Sequence, residues 1–285
     1  MKIAATDVKA LREKTGAGMM DSKNALVKAE GDFAEAEKIL KEMGLMAASK
    51  RMDRPTNEGR VFSLLKNGKG AMLELSCETD FVARNQDFNE LGKRLAEKII
   101  DDDLNEPNQE LSSMVEEVMT RIKENMGLRR FATIRAEDSE MLIDYVHGEG
   151  RIGVIVKVKA DNPALIENPR LKEVAFDFAL HVAAFAPRFL TRDAVDADYI
   201  AEQEALFRKQ TETMDKPDKV KESIAKGKLN KHLSEVTLME QGFVREEKKK
   251  CSAILASLAK ELGAEVTISD FLYYKVGEEI PSQNS

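Results

Sequence analysis

The sequence predicts an α+β protein assembled from several small units, and three observations predict it. Two stretches of apolar residues broken by glycine turns, 61–77 and 141–158, read as β-hairpins, and each precedes a helix-period apolar face. The first 44 residues divide into three short helical patterns punctuated by glycine. A charged, apolar-poor helical stretch interrupts the second half. With 285 residues, 33% charged and 42% hydrophobic, the chain has material for two or three modest cores.

Thr6 is placed to N-cap a first helix whose apolar positions Val8 and Leu11 recur at helical spacing before Gly16 supplies a left-handed stop. A second helix spans Met19 to Glu30 and closes at Gly31. Asp32 and Glu35 form a capping-box pattern at the head of a third, which Gly44 is expected to end. So small a bundle buries little surface, which makes residues 1–45 a docking module. A polar linker, 46–58, comes next and includes Lys50, Arg51, Asp53, Arg54 and Pro55.

Val61 to Leu65, a turn at 66–70 and Ala71 to Cys77 make the first hairpin. A helix from about Asn85 then places Phe88, Leu91, Leu95 and Ile99 on one face. The pattern recurs: Met141 to His147, the turn Gly148-Glu149-Gly150 and Ile152 to Val158 precede a helix that opens at Asn168-Pro169 and carries Leu171, Val174, Phe178, Val182 and Phe185. After a helical excursion each half receives a third strand, Phe131 to Arg135 and Val266 to Val276. The reading is two related α+β units side by side, 59–139 and 140–193 with 234–285. The second excursion, 194–233, breaks at Met214-Asp215-Lys216-Pro217 and should project as an antiparallel helical hairpin too thin for its own core. Its stripe, Ile200, Leu206, Ile224 and Leu229, either meets a partner or stays solvated.

Composition excludes several functions. A net charge of -7 repels polyphosphate, so no direct nucleic-acid binding is expected and a protein partner is the better default. No apolar run approaches the roughly 20 residues a bilayer requires, and the start lacks a signal-peptide core, so a cytoplasmic location with no membrane contact is expected. Cys77 and Cys251 are too far apart for a Cys-x-x-Cys site and read as core or surface thiols. His147, His181 and His232 are scattered, and Gly16-Ala17-Gly18 lacks the remaining residues of a phosphate or dinucleotide loop. No nucleophile with a base, no metal set and no cofactor site emerges, so the chain is read as a non-enzyme that needs no cofactor.

One polar segment stands out, Ser76-Cys77-Glu78-Thr79-Asp80-Phe81-Val82-Ala83-Arg84. Either Phe81 covers a sheet end with Asp80 capping a helix, or the segment is a functional tip.

Leu11-Arg12-Glu13-Lys14-Thr15-Gly16-Ala17-Gly18-Met19-Met20-Asp21 closely resembles the N-terminal signature of the elongation factor Ts family, and Cys77-Glu78-Thr79-Asp80-Phe81-Val82-Ala83 resembles its second signature. His147-Gly148-Glu149-Gly150-Arg151-Ile152-Gly153-Val154 and His181-Val182-Ala183-Ala184 extend the likeness, which runs from about Val8 to Gly277. The resemblance implies a ubiquitin-associated-like three-helix domain, two related subdomains each with a three-stranded antiparallel sheet, and an inserted coiled-coil hairpin of the kind that can pair two copies. It also implies a partner, the GTPase elongation factor Tu, and the role of expelling its GDP during translation elongation. On that likeness Phe81 is a wedge near the partner's magnesium and Asp80 a polar anchor, with Thr79 and Val82 completing the tip. Arg12, Met19 and Met20 resemble a second gripping patch, although the two methionines also suit the bundle core. His147 resembles a contact to another partner domain, whereas His181 suits packing. Two departures stand out: Lys123 occupies a position often held by Gly in the family, and a C-terminal helix found in some members is not expected after Ile280. The competing readings are a module that captures a ubiquitin-like or other helical partner, and an enzyme.

Overall fold

A two-residue turn founds the first half. Asn67 and Gly68 both take positive φ, 52° and 72°, so β1 (Glu58–Lys66) and β2 (Lys69–Cys77) pair up to Lys66 and Lys69. The turn is therefore tighter than the five residues expected. This computed structural model describes residues 3–49, 51 and 53–280; Lys50 of the linker and the last five residues lie outside them.

Three helices precede the hairpin, α1 (Ala5–Thr15), α2 (Met19–Lys28) and α3 (Phe33–Ser49). Val8, Leu11, Ala25, Leu26, Ala36 and Leu40 make their core. Gly16 ends α1 at φ 69° as expected, and the Asp32 carboxylate accepts from the Glu35 amide at 3.0 Å. Two expectations fail here. Ala4, not Thr6, is the N-cap, because the helix begins ahead of Thr6 and leaves that residue in its first turn. Gly44 does not stop α3, which runs on to Ser49. A Cβ on Gly44 would lie 3.0 Å from Thr120 Cγ2, so the glycine lets α3 approach the helix α6 (Gln109–Ile122) closely.

The first sheet has the order β1-β2-β3, where β3 (Met126–Arg135) starts five residues earlier than predicted. Adjacent Arg129 and Arg130 hide its alternation. The second has the order β4-β5-β8, from β4 (Glu140–His147), β5 (Ile152–Ala160) and β8 (Val266–Lys275). Helices α5 (Gln86–Asp101) and α6 cover the outer face of the first sheet, while α7 (Pro169–Phe185) and α10 (Cys251–Leu262) cover that of the second.

The two units stack face to face, which corrects the side-by-side expectation. Central strand β2 is buried on both faces, and β5 buries Gly153 and Ile155 on its second face as well as the valines of its first, so each has a second side covered. Val61, Met72, Ile134 and Ile155 form the core between the sheets. A polar clamp joins it: Glu74, only 1% exposed, accepts from Arg129 Nη1 at 3.0 Å, Arg130 Nε at 2.7 Å and the Gly277 amide at 2.8 Å.

The inserted hairpin comprises α8 (Ala197–Glu212) and α9 (Asp218–Val236). It has a small core after all, built from Val195, Leu229 and Leu233 with Phe189, Tyr199, Ile200 and Phe207. Phe207, seven residues after Ile200, takes the inward position, and Leu206 is left exposed. A short pair, β6 (Gly242–Phe243) and β7 (Glu246–Lys250), then leads into α10.

Candidate partner-binding site

Strand β2 ends at Cys77 and the chain turns into a four-residue helix, α4 (Asp80–Ala83). Thr79 is its N-cap, accepting from the Val82 amide at 3.3 Å, and its hydroxyl donates to the Glu124 carboxylate at 3.0 Å. The buried Cys77 thiol donates to the Thr79 carbonyl at 3.2 Å. Burial, with Glu124 and Glu58 nearby, pushes that thiol up to about 12, so it stays protonated and unreactive. Glu78 accepts from the Asn125 amide at 2.6 Å.

This base is fixed, and its outer face is not covered. Phe81 is 81% exposed, a large penalty for an aromatic ring in water unless something else receives it. Asp80 is half-exposed beside it and lies 3.9 Å from Arg84. Both bland alternatives therefore fail: Phe81 does not cover the sheet end, and the caps of α4 and α5 are Thr79 and Asn85. Val82 departs from the tip role as well. It is 7% exposed and anchors the segment in the first core.

The other expected contacts are distributed around this finger. Met19 and Met20, 48% and 63% exposed, belong to the surface and not to the bundle core, which uses Ser22, Ala25 and Leu26 of α2. Arg12 is exposed on α1. The loop between α1 and α2 approaches the end of α6, where a Cβ on Gly16 would lie 3.7 Å from Arg121 and one on Gly18 would lie 3.9 Å from Lys123 Nζ. Arg121 in turn faces Asp87 of α5 at 3.8 Å, and Glu124 holds Thr79. The first signature and the base of the finger thus meet the same stretch, the end of α6 and the residues just after it.

His147 closes β4, exposed, with the Tyr145 hydroxyl 2.9 Å from its Nδ1. The turn after it docks on the first sheet, where the Val61 amide donates to the Gly150 carbonyl at 2.7 Å. Gly150 has φ 92°, and a Cβ there would meet Arg60 at 2.9 Å, so only glycine fits. Between this turn and the finger lies a cleft of about 290 Å³ lined by Arg60, Asp80, Arg84, Glu149 and Arg151, among others. His181 is elsewhere, buried on α7. It accepts the Val244 amide on Nδ1 at 3.1 Å, which leaves Nε2 to donate to Gln241 at 2.8 Å. Burial holds it below the usual histidine range, as suits the packing role expected of it.

Glu124, Glu149 and Arg84 were not singled out as supports of the finger. Arg84 stands four residues after Asp80, a spacing that could have found it, whereas only contact across the fold brings Glu124 and Glu149 to the segment. Among the described residues no group of acidic, histidine and cysteine side chains could hold a metal, and no helix is long and apolar enough to cross a membrane.

Comparison with known sequences adds an independent line. The family described as Elongation factor TS matches residues 78–278. The chain is similar to Elongation factor Ts of Treponema denticola, 44% identical over 277 residues that cover 97% of this chain and 99% of that protein. It is similar also to Elongation factor Ts of Borrelia garinii subsp. bavariensis, at 40% over 96% of this chain and 99% of the relative, and of Treponema pallidum, at 39% over 97% and 99%. The chain belongs to the elongation factor Ts family, the nucleotide-exchange factors of translation elongation.

Proposed function

We propose that this chain drives GDP from elongation factor Tu by inserting the 79–82 finger beside the partner's magnesium. The observation that carries the reading is Phe81, bare to solvent on a helix whose base is tied down by Thr79, Val82 and Cys77. A side chain held so firmly and left this bare by the described residues is prepared for an external pocket.

The chemistry asked of the finger is small. Mg²⁺ demands an octahedral shell at about 2.0–2.1 Å, supplied in such GTPases largely by phosphates, water and a few side chains. Phe81 wedges partner helices apart, Asp80 fixes the entry angle, and a displacement of about an ångström breaks that shell. The diphosphate then loses charge neutralisation and departs. Because coupling is reciprocal, a factor that weakens GDP binding must itself be displaced when nucleotide returns.

In this reading residues 1–45 grip the GTPase through Arg12, Met19 and Met20, and His147 touches a further partner domain. The inserted hairpin, with Leu206 and Val220 outward, offers the surface through which two copies pair, a stoichiometry that light scattering reports. Release of a fluorescent GDP analogue from elongation factor Tu tests the central claim. Phe81→Ala should lower the stimulated rate at least tenfold with its circular dichroism unchanged, as expected for a hot-spot aromatic. Wild-type stimulation by the variant overturns the reading.

A further inference from the structure

We infer that Glu149 is a positioning residue for the finger, joining it to the His147 turn so that the two contacts reach the partner as one rigid gauge. The inference rests on the finger acting as proposed above. Glu149 belongs to the second unit, yet its carboxylate lies 3.7 Å from Arg84 Nε and 3.7 Å from Arg60 Nη2, both of the first. Two routes run from it to the finger. Arg84 stands 3.9 Å from Asp80, the residue beside Phe81. Arg60 donates to Asn89 at 3.1 Å, and the Asn89 side-chain amide donates to the carbonyl of Ala83, the last residue of α4, at 3.2 Å.

Backbone geometry supports the same role. Glu149 takes φ 56°, an unusual conformation for a side chain of its kind, between two glycines that also have positive φ, 59° and 92°. The bond from Val61 to Gly150 pins this turn to β1, so the turn has little freedom of its own. Close packing just beyond it adds to the restraint, since a Cβ on Gly153 would lie 2.3 Å from Val61. The backbone under Glu149 is therefore a rigid mount, and from it the carboxylate lies 3.7 Å from both Arg84 and Arg60. Exposed ion pairs contribute little to stability, and this pair is well exposed on both sides, 67% for Arg84 and 72% for Glu149. Its value lies in orientation: without it, Asp80 and Phe81 sample more rotamers before entering the partner.

The test measures GDP release at increasing concentrations of the full chain for wild type, Glu149→Gln, Arg84→Ala, the double variant and Phe81→Ala, with melting curves for each. Glu149→Gln and Arg84→Ala should each lower the maximal stimulated rate about threefold to fivefold, leave the half-saturating concentration within about twofold, and leave the melting curves unchanged. In the double variant the losses should not multiply, because both changes break the same Glu149–Arg84 pair. A wild-type maximal rate for Glu149→Gln, or losses that multiply, overturns the inference. If Phe81→Ala also stimulates like wild type, the finger itself is at fault; if Phe81→Ala fails while Glu149→Gln does not, only the gauge falls.

Discussion

The two sheet units share a plan and differ where it counts. Helices α5 and α7 bury residues at matching offsets from their starts: Phe88, Leu91, Leu95 and Ile99 after Gln86 correspond to Leu171, Val174, Phe178 and Val182 after Pro169. Both sheets carry a register shift between the central and third strands, where Arg129 of β3 and Ser269 of β8 are the extra residues opposite Glu74/Leu75 and Lys157/Val158. The connection from central strand to helix is where they part. In the first unit it is the finger with Phe81 exposed; in the second it is a short 3₁₀ turn, Pro163–Glu167, whose Leu165 and Ile166 lean on the core. The fold does not require an exposed aromatic there, so Phe81 serves something other than the fold.

The central-strand residues opposite the two bulges give the largest contrast to break. Glu74 is a buried carboxylate held by two arginines, whereas Lys157 has one carboxylate near it, Glu140 at 3.9 Å. Glu74→Ala takes from Arg129 and Arg130 the carboxylate they share, leaving Arg130 the Glu278 carboxylate and Arg129 the Glu278 carbonyl, and should cost about 3 kcal/mol in urea unfolding. Lys157→Ala should cost under about 1 kcal/mol. Equal losses would mean the Glu74 clamp adds nothing to the packing of Met72 and Ile155.

The two connections give the next contrast. Phe81→Ala should change unfolding free energy by less than about 0.5 kcal/mol, as for an exposed site. Ile166→Ala, half-buried against the second core, should cost about 1–2 kcal/mol, below the roughly 2–5 of a fully buried isoleucine. A destabilised Phe81→Ala would assign the ring a structural role and weaken the proposal.

A smaller difference depends on pH. Where α7 buries His181, α5 has Lys98, twelve residues after the helix start in both, with its ammonium bonded to Asp102 and Glu110 and pushed up to about 12. His181 is held below the usual histidine range by burial, so the folded chain resists a proton that the unfolded chain accepts. Its contribution is intact above about pH 6.5 and is lost as pH falls below that value, by at most about 1.4 kcal/mol per pH unit. Urea midpoints between pH 7.5 and 5.5 should therefore decline, and a flat profile would show that His181 ionises freely in the folded protein.

The hairpins, the faces of α5 and α7 and the turn at Gly16 were legible because period and glycine placement are local signals. The stacking of the sheets was not, since Met72 and Ile155 look like any strand residues until both faces of β2 and β5 are counted. Gly44 misled for a related reason: a glycine that admits Thr120 and one that ends a helix are the same letter. Helix α10 was missed although Cys251, Leu255 and Leu258 recur at helical spacing and Gly263 comes directly after. Of the site, the segment 79–82 was legible as a motif, but Val82 as anchor and Glu124 as clamp needed the third dimension.

Lys123 offers the smallest and most informative contrast, between the end of α6 and the ends of α1 and α10. Those two helices close on glycine, Gly16 and Gly263, at φ 69° and 64°; α6 closes on Lys123 at φ 66° and ψ 20°. A left-handed residue with a Cβ costs roughly 1–2 kcal/mol, and the extra freedom of glycine in the unfolded chain returns about 0.5–1 of it. Lys123→Gly should then stabilise the protein slightly, raising the melting midpoint by about 1–3 °C. The lysine also projects its ammonium toward the loop at Gly18, beside the Arg12–Met20 segment, so its removal acts on the first three helices too. A lowered midpoint would show that this contact outweighs the backbone strain, and that the chain keeps a strained lysine in order to hold its first three helices against the end of α6.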